Sequence, residues 1–373
     1  MRYLFRRLVA LSLVGGALAG VGFAGYKLGA VTESESLWRP ETWRAAFNMP
    51  RDTSPPSIGF WLTGWHVDYD SDSTAVVARE SEGLDQVILF GWGFDKSGNV
   101  TGQDPFPIKG MTGPKKRVLL FGNFNTDGFS ADLAHAIVAD QQVGQRAIDG
   151  ILAKVRDFEG SGIQIDFEGV YLSDRDGYTA WLKRLAAALH KEGLTLSVAV
   201  PAKQSDNRNG FGGEIDYPSI GQAADFIYLM AYDRHYLGGE AGPVAPLDWT
   251  EAVVRYAVGV IPSQKLILGV PLFGYEWVED SAQNASYGGA FLTNRVAEAG
   301  AQAAWDPVAA EYHAEWQSPE GKRVAWWGDE RSLEAKLHLA YQYNLKGIAL
   351  WRLGLEPDRW WPNLHRFKQA PSK

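Results

Sequence analysis

Short apolar runs recur at wide spacing along the chain from residue 58 onward. Eight of these runs are rich in Val, Ile, Leu and Phe, and they cover residues 58–64, 86–91, 117–122, 162–168, 195–201, 226–232, 265–271 and 346–351. Such runs are typical of strands buried on both faces. Between most of them lie amphipathic patterns, and residues 177–192 place four large apolar side chains on one helical face. The alternation predicts an α/β fold with a parallel sheet, and eight repeats predict a closed (β/α)8 TIM barrel.

The stretch between the seventh and eighth runs is too long for a single helix. Residues 311–317 and 322–327 have the pattern of a β-hairpin, with Ser318-Pro319-Glu320-Gly321 as its turn. We therefore expect a small α+β insertion at about residues 276–330, beside the barrel mouth. The barrel domain as a whole is predicted at residues 58–366.

The first 30 residues differ in composition from the rest of the chain. An apolar run of 19 residues, 8–26, lies between Arg7 and Lys27, and about 20 residues are needed to cross a bilayer as a helix. The basic flank predicts a cytoplasmic amino end and an exported remainder. Residues 1–30 fit an uncleaved membrane anchor, and they also fit a signal peptide cleaved near Ala17-Leu18-Ala19.

Residues 31–57 end in a Pro-Pro pair and are predicted to be an extended linker. The protein is accordingly expected outside the cytoplasm, in the periplasm or cell envelope. It would be either anchored in the membrane through its N-terminal segment or secreted.

Composition narrows the possible functions. The 373 residues carry 36 Lys and Arg against 44 Asp and Glu, and they include no cysteine. The absence of cysteine excludes disulfides, thiolate metal sites and a cysteine nucleophile. A net charge of −8 argues against nucleic acid as the main ligand, because backbone binding needs a basic surface. We expect a monomer without a cofactor.

The fourth apolar run carries a row of polar residues. Strand alternation turns its apolar side chains toward the helices and directs Gln164, Asp166 and Glu168 into the barrel interior. Active sites of such barrels lie at the C-terminal ends of strands, where Glu168 is placed. Two neighbouring carboxylates repel each other when both ionise, so the pKa of one should rise. Glu168 would then suit the role of a general acid.

This stretch resembles the Asp-Gly-x-Asp-x-Asp-x-Glu signature of family 18 glycoside hydrolases, the chitinase-like barrels. Glu168 matches the proton donor, and Asp166 matches the aspartate that holds the N-acetyl group of the substrate. Ser161 replaces the first aspartate and Gln164 replaces the middle one. An amide at the middle position is frequent in the spore-cortex-type peptidoglycan N-acetylglucosaminidases, so the resemblance points to that branch.

Further motifs of the family follow other predicted strands. They are 123–125 with 128–130 after the third strand, 230–233 with 242–246 after the sixth, 269–275 at the seventh and 347–351 at the eighth. The resemblance covers residues 58–355, and the motifs occur in the family's order.

The resemblance implies a retaining, substrate-assisted glycosidase without a protein nucleophile. The acetamide oxygen of the bound sugar would attack its own anomeric carbon, while Glu168 protonates the leaving oxygen and later activates water. Asp166 would orient the acetamide, and Tyr232 would donate a hydrogen bond to its oxygen. Asp233 would bind a sugar hydroxyl, and Trp351 would form the floor of the sugar site. The implied partner is a polysaccharide containing N-acetylglucosamine, such as peptidoglycan, chitin-type oligomers or poly-N-acetylglucosamine.

Other residues are weaker candidates for substrate binding. Gln164 is interpreted as a support that bonds Asp166. Asn123 would either bond the catalytic row or satisfy a loop backbone. Four aromatic residues that follow strands one, two and seven would be either sugar platforms or core: Trp65, Trp92, Tyr275 and Trp277.

Two other functions remain open at this point. One is a non-catalytic glycan-binding barrel, although such relatives usually lack the acid that Glu168 supplies. The other is a metal-dependent barrel enzyme with Asp166 and Glu168 as oxygen ligands, although no third acid is clearly placed to join them. His66 and His235 lie near predicted strand ends without metal-ligand spacing, so we expect no metal.

Overall fold

The computed structural model describes residues 59–102, 116–279, 281 and 283–369. The predicted signal or anchor segment and the linker lie outside these ranges. Within them, no helix combines the length and apolar character needed to cross a membrane.

Eight parallel strands form a closed barrel. They are β1 (Trp61–Val67), β2 (Gln86–Phe94), β3 (Arg117–Gly122), β4 (Gly162–Asp166), β5 (Thr195–Pro201), β6 (Phe226–Met230), β7 (Leu266–Pro271) and β8 (Gly347–Trp351). Each strand pairs with the next, β8 pairs with β1, and β1 pairs with β2, which closes the sheet. The strands coincide with the eight predicted runs, so the predicted (β/α)8 barrel is confirmed.

The helices of the described residues follow the strands in chain order. They are α1 (Ser71–Glu80), α2 (Ala131–Ala139), α3 (Gln141–Asp157), α4 (Arg175–His190), α5 (Tyr217–Ala223), α6 (Leu247–Val260), α7 (Gly289–Glu298), α8 (Glu330–Gln342) and α9 (Trp361–Gln369). Aspartates cap several of them: Asp140 accepts two backbone N–H groups at the start of α3, and Asp329 forms a capping box with Ser332 at α8. Such caps satisfy backbone N–H groups that have no partner within the helix.

Short elements complete the barrel. A strand at Val100–Gly102 pairs antiparallel with β2, and a small hairpin joins Phe124–Asn125 to Gly128–Phe129. Single turns of 3₁₀-helix lie at Leu172–Asp174, Ser263–Lys265 and Asp358–Trp360.

Two apolar layers hold the barrel. Alternate residues of the strands, such as Ile163 and Ile165 of β4, pack outward against helices, including Leu185 of α4. The other residues fill the interior, where Tyr228 and Ile267 are fully buried. The outward direction predicted for Ile163 and Ile165 on the fourth strand is therefore confirmed.

An inserted lobe follows β7 directly. Its antiparallel sheet contains the strands Phe273–Val278, Ala285–Gly288, Ala304–Asp306, Glu311–Ser318 and Gly321–Trp327. The last two form the predicted hairpin. Helix α7 covers this sheet, burying Leu292 and Val296 against Trp327 and its neighbours. The lobe therefore has an apolar core of its own beside the barrel.

Candidate active site

Two carboxylates lie at the C-terminal end of β4. Asp166 ends the strand with 6% of its surface exposed, and the half-buried Glu168 follows two residues later. Burial raises the pKa of Asp166 to about 7. Burial, followed by the negative charges of Asp166 and Asp233, raises the pKa of Glu168 well above its usual value. This arrangement favours the protonated form of Glu168.

Asn123 fixes the backbone of Glu168. Its Nδ2 donates to the carbonyl oxygens of Glu168 (2.8 Å) and Ser130 (2.9 Å), and its Oδ1 accepts from the Glu168 N–H (2.8 Å). The side chain is fully buried. Because these bonds occupy both ends of the amide, Asn123 holds the loop that carries the acid instead of binding substrate, and it thereby takes both roles that the sequence left open for it, bonding the catalytic row and satisfying a loop backbone.

Gln164 does not support Asp166 in the predicted way. Its Oε1 accepts a 2.7 Å hydrogen bond from Trp65 Nε1. Nε2 of Gln164 is buried, and so is Oδ1 of Asp166. Neither atom has a hydrogen-bond partner among the described residues. A buried polar atom without a partner costs about 1–3 kcal/mol. One donor and one acceptor on this inner face are therefore left without a hydrogen bond among the described residues.

Two tryptophans lie side by side in the barrel interior. Trp351 ends β8, and 9% of its surface is exposed. Trp65 lies edge-on to it, with ring centroids 5.5 Å apart, and is only 2% exposed. The structure therefore corrects the prediction of Trp65 as a sugar platform: it fills the barrel interior beside Trp351 and donates a hydrogen bond to Gln164.

Trp92 faces away from the barrel mouth. The pairing of β2 with β3 shifts between Phe90 and Trp92, so Gly91 forms a bulge. Phe90 packs in the barrel interior, whereas Trp92 packs in the outer layer against Phe121 and Phe158. The extra residue thus turns Trp92 toward the helices, and its prediction as a substrate-binding residue is wrong.

Asp233 follows β6, two strands along the barrel from β4, and its charge acts on Glu168. Asp233 has a left-handed backbone with φ of +60°, and its Oδ1 accepts a 2.6 Å hydrogen bond from the Tyr275 hydroxyl. Burial raises the pKa of Asp233 to about 6, and the bond from Tyr275 opposes that rise. Burial and the charges of Asp233, Asp166 and Glu168 raise the pKa of Tyr232 far above its usual value. Tyr232 therefore stays neutral and can donate a hydrogen bond.

Tyr275 and Trp277 are not open platforms. Tyr275 is 3% exposed and its hydroxyl is bound to Asp233. Trp277 is buried and donates to the carbonyl of Tyr236 at 3.3 Å. Tyr275 instead lines the pocket beside Trp351, so it is not the open sugar platform that was predicted.

A small pocket of about 50 Å³ adjoins Trp351 at the junction of barrel and lobe. Its lining consists of Tyr69, Phe273, Tyr275, Ser286, Tyr287, Trp351, Arg352 and Leu355. Arg352 is buried, pairs with Asp70 and lies over the Tyr69 ring, 5.4 Å from its centroid. Tyr69 and Arg352 were not predicted as site residues, although Arg352 directly follows Trp351 and Tyr69 follows the first strand.

The two histidines have hydrogen-bonding positions. His66 is fully buried, with its Nε2 3.0 Å from Thr74 Oγ1, and burial lowers its pKa to about 4. His235 Nδ1 lies 3.2 Å from the carbonyl oxygen of Glu240. Within the described ranges, no group of three or more His, Asp or Glu side chains is arranged to hold a metal ion.

Comparison with known proteins identifies the family of the chain. The sequence model described as "Glycosyl hydrolases family 18" matches residues 89–356. The chain is 29% identical over 282 residues to the uncharacterized glycosylase YvbX of Bacillus subtilis, covering 73% of this chain and 81% of that protein. It is 28% identical over 300 residues to the cortical fragment-lytic enzyme of Bacillus subtilis, covering 78% of this chain and 70% of that enzyme.

Solved structures share the fold. A chitinase from Chromobacterium violaceum superposes with a TM-score of 0.77 at 28% identity, covering 84% of this chain and all of that one. The spore cortex-lytic enzyme SleL of Bacillus megaterium gives a TM-score of 0.77 at 22% identity, covering 86% of this chain and 77% of that one. Together with the family match, these findings show that the chain is a glycosidase and belongs to glycosyl hydrolase family 18.

Proposed function

We propose that this chain cleaves β-linked N-acetylglucosamine-containing glycans with retention of configuration, using Glu168 as general acid and base. The observation that carries the proposal is Glu168 next to the buried Asp166 at the end of β4, where burial and the charges of Asp166 and Asp233 raise the pKa of Glu168, in a barrel whose interior also contains Trp351. A general acid needs a pKa near or above the working pH, and burial together with neighbouring charges supplies it here.

The first step breaks the glycosidic C–O bond. Glu168 gives its proton to the leaving oxygen, while the acetamide oxygen of the same sugar forms a bond to the anomeric carbon. The product is a cyclic oxazolinium-like intermediate, and Glu168 is left as a carboxylate. In the second step water attacks the anomeric carbon, Glu168 takes a proton from that water, and the ring bond to the acetamide oxygen breaks. Two inversions at one carbon give net retention.

The neighbouring groups assist the acetamide. Oδ1 of Asp166 has no partner among the described residues, and it would accept the acetamide N–H and offset the positive charge of the intermediate. Tyr232 would donate to the acetamide oxygen. Asp233, oriented by Tyr275, would bind a sugar hydroxyl, and the exposed part of Trp351 would contact the ring of the sugar.

Peptidoglycan is the substrate that we favour. Gln164 stands where the chitinase-like signature has an aspartate, and relatives of this chain include the cortical fragment-lytic enzyme of Bacillus subtilis. Chitin-type oligomers are the alternative substrate, because the chain is also similar to the chitinase of Chromobacterium violaceum.

The test is release of reducing ends from peptidoglycan, chitin oligomers and poly-N-acetylglucosamine by wild type and Glu168→Gln. Loss of the general acid should lower turnover by about 10²–10⁴-fold. Glu159→Gln is the matched control, because Glu159 is exposed and precedes β4 at the opposite end of the barrel. Equal activity of wild type and Glu168→Gln would remove Glu168 from the mechanism. Binding without turnover by the wild type would instead support a non-catalytic glycan-binding protein.

The acetamide requirement has a separate test. De-acetylated oligomers should be turned over far more slowly than their N-acetylated counterparts, because they lack the internal nucleophile. Equal rates on the two would refute the substrate-assisted scheme.

We further propose that the enzyme acts outside the cytoplasm, held by residues 1–30 or released after their cleavage. The basic residues before the apolar run support this orientation. Mass spectrometry of the mature N-terminus, together with cell fractionation, distinguishes an anchor from a cleaved signal. Recovery of the full chain in the cytoplasm would contradict export.

A further inference from the structure

A buried carboxylate of the lobe holds the backbone of a barrel loop. Glu311 begins the lobe strand Glu311–Ser318 and is 1% exposed. Its Oε2 accepts the N–H of Val244, and its Oε1 accepts the N–H of Ala245, both at 2.8 Å. Both residues belong to the loop between β6 and α6, so one carboxylate joins the lobe to a loop at the barrel mouth.

The far end of this loop is coupled to its beginning. The Arg234 N–H donates to the Val244 carbonyl oxygen at 2.9 Å. Arg234 directly follows Asp233, whose φ of +60° is a left-handed conformation that non-glycine residues adopt only when their surroundings hold them in it. The side chain of Val244 is fully buried in the interior cluster that also contains Tyr275 and Trp351. Val244 is thus linked to Asp233 by the hydrogen bond to the Arg234 N–H and by the peptide bond between Asp233 and Arg234.

A buried lysine balances the charge of Glu311. Lys336 of α8 is 2% exposed, and its Nζ lies 3.7 Å from Glu311 Oε1. A charge buried at this depth is tolerated when it is paired and hydrogen-bonded. Glu311 therefore joins three parts of the molecule: the lobe, the loop after β6, and helix α8.

We propose that Glu311 is a positioning residue, which sets Tyr232 and Asp233 for the reaction by fixing the loop that follows them. The lobe would then hold Asp233 from two sides, through Tyr275 at its side chain and through Glu311 at its backbone. This inference rests on the proposed function, since it assigns Glu311 to that same site.

The first experiment compares Glu311→Gln with Glu276→Gln in kcat, KM and thermal stability. Glu276 is a matched control, because it is an equally buried lobe carboxylate that pairs with Arg295 and Arg323, and strand alternation turns it away from Tyr275. Small misplacements of reacting groups cost up to about 10²-fold in rate, so kcat of Glu311→Gln should fall at least about tenfold with KM little changed. The Glu276 variant should lose stability while keeping its kcat. Equal kcat losses in the two variants would overturn the inference.

A second variant separates positioning from folding. Glu311→Gln leaves Lys336 buried without its charge partner, which can unfold the protein, whereas Glu311→Gln with Lys336→Met leaves a neutral pair. The glutamine still offers one acceptor oxygen to the two backbone N–H groups. The double variant should regain stability and keep the kcat defect, and recovery of full kcat would contradict positioning by Glu311.

Two further measurements locate the effect. Because Glu311→Gln and Tyr275→Phe both act through Asp233, their effects on kcat should be non-additive, and strictly additive effects would count against the inference. Hydrogen exchange at the amides of Arg234, Val244 and Ala245 should accelerate in Glu311→Gln and stay slow in Glu276→Gln. A wild type without turnover would refute the proposed function, and the exchange data would still decide whether Glu311 holds the loop.

Discussion

Tyr275→Phe isolates the hydrogen bond that orients Asp233. The substitution removes the hydroxyl that donates to Asp233 Oδ1 at 2.6 Å and keeps the ring between Phe273 and Trp277. Hydrogen bonds to charged groups are worth about 1.5–3 kcal/mol, and one pKa unit corresponds to about 1.4 kcal/mol. The bond favours the charged carboxylate, so its loss should raise the pKa of Asp233 from about 6 by about one to two units.

The change should reach Glu168. The negative charge of Asp233 is one cause of the raised pKa of Glu168. If Asp233 takes up a proton near neutral pH, that repulsion disappears and the pKa of Glu168 falls. The acidic limb of the pH–rate profile should therefore shift to higher pH, while the basic limb shifts to lower pH. The bell-shaped profile then becomes narrower on both sides.

The assay is kcat/KM across the acidic to mildly basic range with a chromogenic N-acetylglucosamine oligomer. Tyr228→Phe is the control, because its hydroxyl bonds Gln86 at 3.1 Å inside the same barrel. Its profile should keep the wild-type width. An unchanged or wider profile for Tyr275→Phe would refute the assigned coupling of Asp233 to Glu168.

Three further predictions follow from the site. Gln164→Asp adds a negative charge beside the carboxylates and should move the basic limb of the pH–rate profile upward; a downward shift, or none, contradicts this. The pKa of Asp166 is about 7 when folded and 3.8 in the free residue, so the folded state holds the extra proton and wild-type stability falls as pH rises through that window. Asp166→Asn removes this loss, at most about 4 kcal/mol, and thermal melts above neutrality should show a higher Tm than wild type. Trp92→Ala should cost about 3–5 kcal/mol in urea unfolding with KM unchanged, and a raised KM would restore its substrate role.

The barrel was predictable because its strands are buried on both faces. Their apolar runs stand out against the helical patterns, and each was found within a few residues of its observed bounds. Alternation along β4 also placed Gln164 and Asp166 on the inner face, since a regular strand leaves only two directions for a side chain. Local rules were enough for these features.

Features that depend on distant contacts were not predictable. The bulge at Gly91 reverses the direction of Trp92, and only the pairing with β3 defines it. The partners of Glu311 lie 67 and 66 positions away in the chain. Asn123 reaches Glu168 across 45 positions. Such pairs arise from the closure of the barrel and the docking of the lobe, and no pattern within a single segment encodes them.

The hydrogen bonds between Asn123 and the backbone of Glu168 also affect how this fold can evolve. The amide engages main-chain atoms that all amino acids possess except proline, which lacks the N–H. A replacement at position 168 would therefore leave the loop in place while removing the proposed proton donor. A single codon change at position 168 could therefore convert such a hydrolase into a saccharide-binding protein. The fold around that position would not have to change first.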